Sequence, residues 1–216
     1  MKKDFLHGEE ELLPKVKLLF NAVIELMHEG ADVNNLKISD ITGKAGIGKG
    51  TAYDYFASKE EIIGGSVLYY ICKFLEGVEE GVKDIPCFQD RVNYLFDVLE
   101  RNLDERGCFV RLVHLLMGSS SISLYLQDAI RSGRADMPLV ILDKIVHNGI
   151  EQGEITNAYP VSYIVYTLCA RILTYAALLD MKGEERPLYA DEVDKKQIRE
   201  LMVKGIMLEF GDKSFY

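Results

Sequence analysis

From residue 14 to residue 210 the apolar side chains recur every three or four positions, and no stretch sustains a two-residue alternation. That rhythm belongs to helices, in which residues three and four apart share a face. No segment joins alternation, β-branched residues and flanking turn signals as a strand requires. The expected fold class is therefore all-α. The first helix covers 14–30, with Val16, Leu19, Phe20, Val23 and Met27 on one face, Pro14 in its first turn and Gly30 as its stop. Two short helices follow at 38–45 and 49–56, separated by Gly46-Ile47-Gly48. Ser58 and Glu61 form an S-x-x-E capping box that opens a long helix with Ile63, Val67, Tyr70, Ile71, Phe74 and Val78 on one stripe. Further helices are expected at 88–104, 108–117, 122–132, 137–152, 160–181 and 192–210.

The last two helices carry more apolar surface than one packing face uses. In 160–181 a stripe through Ile164, Leu168, Ile172, Tyr175 and Leu179 is doubled by one through Tyr166, Cys169, Leu173 and Ala177. In 192–210 the surplus includes Ile198, Leu201, Met202, Ile206 and Phe210. A helix apolar on two sides must be covered on two sides. A second copy, meeting Ile172, Leu179, Ile198, Leu201 and Met202 in a four-helix interface, supplies the cover. A single large core is the alternative. A membrane span over 161–181 is disfavoured because Arg171 falls in its middle.

With 216 residues, 48% of them apolar, the chain can bury a core without disulfides or metal. Its net charge of −9 excludes a uniformly basic nucleic-acid coat, so any such contact must be local. Residues 37–59 are locally positive: Lys37, Lys44, Lys49 and Lys59 stand against Asp40 and Asp54. Cys72, Cys87, Cys108 and Cys169 form no C-x-x-C pair, and no histidines stand at a metal-ligand spacing. Free thiols in a reducing cytoplasm, no metal and no cofactor are expected. The first fifteen residues lack the apolar region of a signal peptide.

Residues Gly43 to Thr51 nearly satisfy the phosphate-loop pattern G-x-x-x-x-G-K-[ST]. That loop needs a strand before it, and the preceding residues are polar and helical in pattern. A nucleotide-binding enzyme is the alternative reading, and it rests on these nine residues alone. The same stretch fits a helix-turn-helix better. Its second helix displays Lys49, Thr51, Tyr53 and Tyr55, groups suited to bases and phosphates, with Ala52 and Phe56 turned inward. Lys59, at the start of the next helix, suits a phosphate.

The run from Lys37 to Glu61 closely resembles the TetR (tetracycline-repressor) family of bacterial regulators. Asp40, Ile41, Ala45, Gly46, Gly50, Thr51, Tyr53, Tyr55, Phe56, Lys59 and Glu60 match the family pattern at fixed spacing. Thr42 and Gly43 depart from it, and Gly48 stands where a capping serine is common. The resemblance implies a three-helix DNA-binding domain at 10–74, with its motif at 37–56, and a helical ligand-binding and dimerisation domain at 75–216. It implies that Lys49, Gly50, Thr51, Tyr53 and Tyr55 face DNA, that Tyr53 and Lys59 hold phosphates, and that Lys37 and Ser39 touch the backbone. The implied function is a dimeric, cytoplasmic regulator, a repressor of a palindromic operator released by a small ligand, and not an enzyme.

A ligand cavity is implied among the later helices. Its candidate lining is Tyr70, Phe74, Phe96, Phe109, Tyr166, His114 and Arg171. Each has a plainer alternative: core aromatic, hydrogen-bonded core histidine, or salt-bridged arginine.

Overall fold

The structure is a computed structural model that describes residues 12–106, 115, 118–132, 138–180 and 194–212. Among them nine helices are found: α1 (Pro14–His28), α2 (Ile38–Ala45), α3 (Lys49–Tyr55), α4 (Lys59–Lys83), α5 (Phe88–Arg106), α6 (Ser121–Arg131), α7 (Pro138–Glu151), α8 (Val161–Asp180) and α9 (Lys195–Phe210). The only β feature among the described residues is an isolated bridge between Ile155 and Gly211. Of the helix expected at 108–117, Leu115 alone lies within the described residues, and it is helical.

The described residues form two compact units. The first holds residues up to Phe74 together with 115–132; the second holds 75–106, 138–180 and 194–212. Helix α4 contributes to both. The first unit thus includes α6, which the sequence reading had grouped with the C-terminal helices.

In the first unit α1 starts at Pro14, whose missing N–H costs nothing there. It buries Val16, Leu19, Phe20, Val23 and Met27. It stops where Gly30 turns left-handed at φ +92°, and the Ala31 N–H closes on the Leu26 carbonyl at 3.0 Å. The Phe20 ring lies 5.8 Å from Phe56 and 5.9 Å from Tyr69, centroid to centroid. Two adjacent glycines of α4 admit aromatic neighbours: a Cβ at Gly65 would stand 3.0 Å from Phe20, and one at Gly64 would collide with the Tyr125 ring of α6.

In the second unit α5 packs on α8 and α7 through Phe88, Val92, Phe96 and Leu99, while α8 presents Ile164, Val165, Leu168, Tyr175 and Ala176. The Phe96 and Tyr175 rings meet edge to face at 5.0 Å. Tyr175 donates its hydroxyl to Glu100 at 2.6 Å. The Arg199 guanidinium spans Asp97 at 2.6 Å and Glu100 at 3.1 Å, which fixes α9 against α5. The Thr156 N–H donates to the Phe210 carbonyl, and Asp212 N–H to Glu154, joining the α7–α8 connection to the end of α9.

By length and composition, Val161–Leu179 in α8 is apolar enough to cross a membrane, and 28% of its apolar window is buried within the chain. Tyr163, Tyr166, Ala170, Thr174 and Ala177 share the exposed face of α8 at spacings of three and four. On α9, Leu201 and Leu208 are 61% and 72% exposed.

Candidate nucleic-acid interface

Helix α2 begins where the Asp40 carboxylate accepts the Lys37 N–H at 3.0 Å. Thr42, four residues after Ile38, is 3% exposed and donates its hydroxyl to the Ile38 carbonyl at 2.9 Å. That bond satisfies the hydroxyl of a polar residue on the buried face of α2. The helix ends at Gly46, φ +66°, and the Ile47 N–H returns to the Thr42 carbonyl at 3.1 Å. Gly46 is the left-handed corner of the turn, a conformation costing other residues about 1–2 kcal/mol.

Extended Gly48 (φ −72°, ψ 148°) then leads into α3. Ala52, fully buried, and Phe56, 3% exposed, face the first unit's core. Lys49, Gly50, Tyr53 and Asp54 are exposed, with Tyr53 at 50%; Thr51 and Tyr55 are half-buried at the flanks. Nothing lies within 4 Å of where a Gly50 Cβ would be, so the backbone is free to approach a surface closely. Among the described residues no strand precedes Gly43, and residues 43–45 are the last turn of α2, so the phosphate-loop geometry is not formed.

The capping box at Ser58 differs slightly from the sequence expectation. Ser58 Oγ accepts the Glu61 N–H at 3.1 Å, but Glu61 reaches back to the Ala57 N–H, at 2.5 Å, one residue before Ser58. Lys59 Nζ is held between the carbonyl oxygens of Leu36 at 2.9 Å and Asn34 at 3.4 Å, with Glu60 3.9 Å away. Lys44 is occupied differently: Glu29 takes its ammonium at 2.5 Å and Glu25 stands at 3.6 Å. The hydrogen bond to Glu29 holds the Lys44 ammonium above the usual lysine pKa. Lys37 is exposed, and the Ser39 hydroxyl donates to Asp40 at 3.4 Å.

Seven of the eight DNA-facing candidates therefore lie on α2, α3 or the turn of chain just before α2, and Lys59 ties α4 to that turn. Asp54 was not among them. A helical projection anchored on Ala52 and Phe56 would have singled it out.

The remaining candidates are dispersed. Tyr70 stacks edge-on against His28 at 6.4 Å and Phe74 is half-buried, both in the first unit. In the second unit Phe96 is fully buried against Tyr175, while Tyr166 is 63% exposed on the outer face of α8. Arg171 pairs with Glu209 at 2.8 Å, and Tyr163 donates to the same carboxylate at 2.9 Å. Phe109 and His114 lie outside the described residues. Ile172, Leu179, Ile198 and Met202 are half-buried, whereas Leu201 is exposed.

A family model for the bacterial regulatory proteins of the tetR family matches residues 22–64, from α1 into α4. The fatty acid metabolism regulator protein of Bacillus subtilis (strain 168) is 24% identical over 203 residues, covering 89% of this chain and 96% of that protein. The crystal structure of the transcriptional regulator FadR from Bacillus subtilis in complex with stearoyl-CoA superposes with a TM-score of 0.64 at 20% identity, over 88% of this chain and 98% of that one. The fatty acid degradation regulator FadR from Bacillus halodurans gives a TM-score of 0.65 at 16% identity, over 90% and 97%.

Proposed function

We propose, from the premise that this chain is a DNA-binding transcriptional regulator of the tetR family, that it works in the cytoplasm as a homodimeric repressor released by a long-chain acyl thioester. The observation that carries the DNA reading is the division of α3: Ala52 and Phe56 anchor it, Gly50 and Asp54 lie on its opposite side, and Lys49 and Tyr53 are exposed at its flanks. A helix so held can lie in the major groove. Lys37, Ser39, Thr51, Tyr53, Tyr55 and Lys59 are then placed to meet phosphates and base edges around it.

The homodimer is supported by the exposed face of α8, from Tyr163 to Ala177, and by Leu201 and Leu208 on α9. The Arg171–Glu209 pair beside this face suits burial against protein better than exposure to lipid. Two copies joined there present two α3 helices. Their operator has half-sites one helical turn of DNA apart, about 34–36 Å or a multiple of it.

The effector class is supported by the likeness to fatty acid regulators that spans most of the chain. Helix α4 runs from Lys59 beside α2 into the second unit and is the covalent route by which a bound effector moves α3. Duplexes selected from a random pool by the full chain test the reading. The expected result is a palindromic enriched site bound two protomers at a time, with affinity lowered by stearoyl-CoA. Sedimentation as a monomer at micromolar concentration, or an enriched site indifferent to every acyl thioester tried, refutes the dimer or the effector respectively. Leu201→Asp should give monomers that keep their helical content, because Leu201 is exposed within each chain.

A further inference from the structure

We propose that Asp54 is a base-reading residue of α3 and selects a C·G pair, through the cytosine amino group, in each half-site. The inference rests on the DNA-binding reading above and names what that face recognises. At about 100° per residue, the midpoint between the buried Ala52 and Phe56 lies about 180° around α3 from Asp54. No other side chain of the helix points so directly away from the core. Asp54 is exposed, and among the described residues it has no hydrogen-bond or ion-pair partner. Gly50, one turn earlier on the same ridge, has no side chain and open space where one would be. Asp54 is thus the first polar group that a surface laid against α3 would meet.

A carboxylate in that position is costly against a polyanion unless it accepts a hydrogen bond. Ionised aspartate has acceptors only. The donors that base edges offer in the major groove are the amino groups of cytosine and adenine. Adenine sets the N7 acceptor beside its amino group, which repels the second carboxylate oxygen; cytosine has no acceptor there. The C·G pair is therefore the favoured partner. The carboxylate also screens out sites that offer only acceptors, so it raises discrimination at the expense of general attraction to DNA.

Selection from random duplexes, run in parallel with wild type, Asp54→Asn and Asp54→Ala, tests this. Wild type should enrich C·G at one position of each half-site, with about a 5- to 150-fold preference over the other pairs. Asp54→Asn should move that position towards adenine, whose N6 and N7 asparagine reads bidentately. Asp54→Ala should flatten it, with the other positions unchanged. Circular dichroism of the two variants should match wild type, since the side chain is exposed. Identical base preferences in all three proteins would overturn the assignment. So would a wild-type site with no C·G position in either half, a result that needs no variant. A wild-type pool without any enrichment would instead bring down the DNA-binding reading beneath it.

Discussion

The Lys59 ammonium donates to the Leu36 carbonyl oxygen at 2.9 Å across 23 residues of chain. A group suited to phosphate is thereby held at the junction of α4 with the turn before α2. Two of its donor directions are spent on Leu36 and Asn34, and Glu60 stands 3.9 Å away, so a bound phosphate competes with Glu60 for the ammonium. Lys59→Ala should therefore act twice. It should lower unfolding free energy by about 1–2 kcal/mol, as the loss of a charge-assisted bond does. It should also weaken binding to all duplexes alike. Denaturant unfolding and electrophoretic mobility shift measure the two effects, and weakened binding at unchanged stability would contradict the junction.

The salt dependence of DNA binding counts the free cations. Lys44 is engaged by Glu29 and Glu25 and contributes none. Lys37 and Lys49, with Lys59 once it leaves Glu60 for a phosphate, give three per protomer and six per dimer, for a slope of log affinity on log salt of about −5. Lys44→Ala should leave the slope unchanged, whereas Lys49→Ala should make it shallower by about 2. A steeper slope that falls on mutation of Lys44 would show that the ion pair opens on DNA.

Gly46→Ala isolates the cost of one backbone angle. The added methyl meets nothing within 4 Å, so only the left-handed φ of +66° opposes it. The expected loss is about 1–2 kcal/mol. Unfolding at no cost would mean that the α2–α3 turn adopts another geometry.

Gly64 gives the opposite case. There the angle is helical and the space is filled by Tyr125. Gly64→Ala gains about 1 kcal/mol of helix propensity but forces the ring aside, which costs about 1–3 kcal/mol. In a Tyr125→Ala background the same substitution should become stabilising. A double-mutant cycle on unfolding free energies reads the sign change, and additivity would deny the contact.

Tyr175 sets an alkaline limit. Burial, and then its bond to Glu100, push its hydroxyl well above the ordinary tyrosine value of 10.0. Below pH 10 folded and unfolded chains both hold this proton. Above it the unfolded chain releases the proton while the folded chain keeps it, so stability should fall as pH rises. Tyr175→Phe should flatten that fall. An unaltered slope in the variant would place the titration elsewhere.

Local signals placed most of the helices within a residue or two, because their causes are local. Pro14, Gly30, Gly46 and Ser58 each act on their own turn of chain, and each marks a boundary in the structure. The buried stripe of α1 was equally legible from its spacing. What could not be read depends on distant partners. Lys44 looks like a free surface charge until α1 brings Glu29 beside it. Arg171 was open between a ligand and a salt bridge, and its partner Glu209 lies 38 residues away. Tyr166 and Phe96 look alike in sequence, yet one is on an outer face and the other in the core. Asp54 carries no cationic or hydroxyl signal for a DNA contact, yet its position opposite Ala52 and Phe56 follows from helical geometry alone.

The placement of α6 has a consequence for inheritance. Its residues Ile122, Leu126 and Ala129 are buried in a unit whose other members precede residue 75. A crossover between two regulators at that point would transfer α1 to α3 with a foreign α6, whose surface had been shaped for another α4. Gly64 and Tyr125, lying far apart in the chain, would then come from different parents. Operator specificity in this architecture cannot be exchanged as a block by one recombination event. If α3 reads the operator as proposed, specificity changes by substitutions on its exposed side, or by paired exchanges that carry 115–132 along with the N-terminal helices.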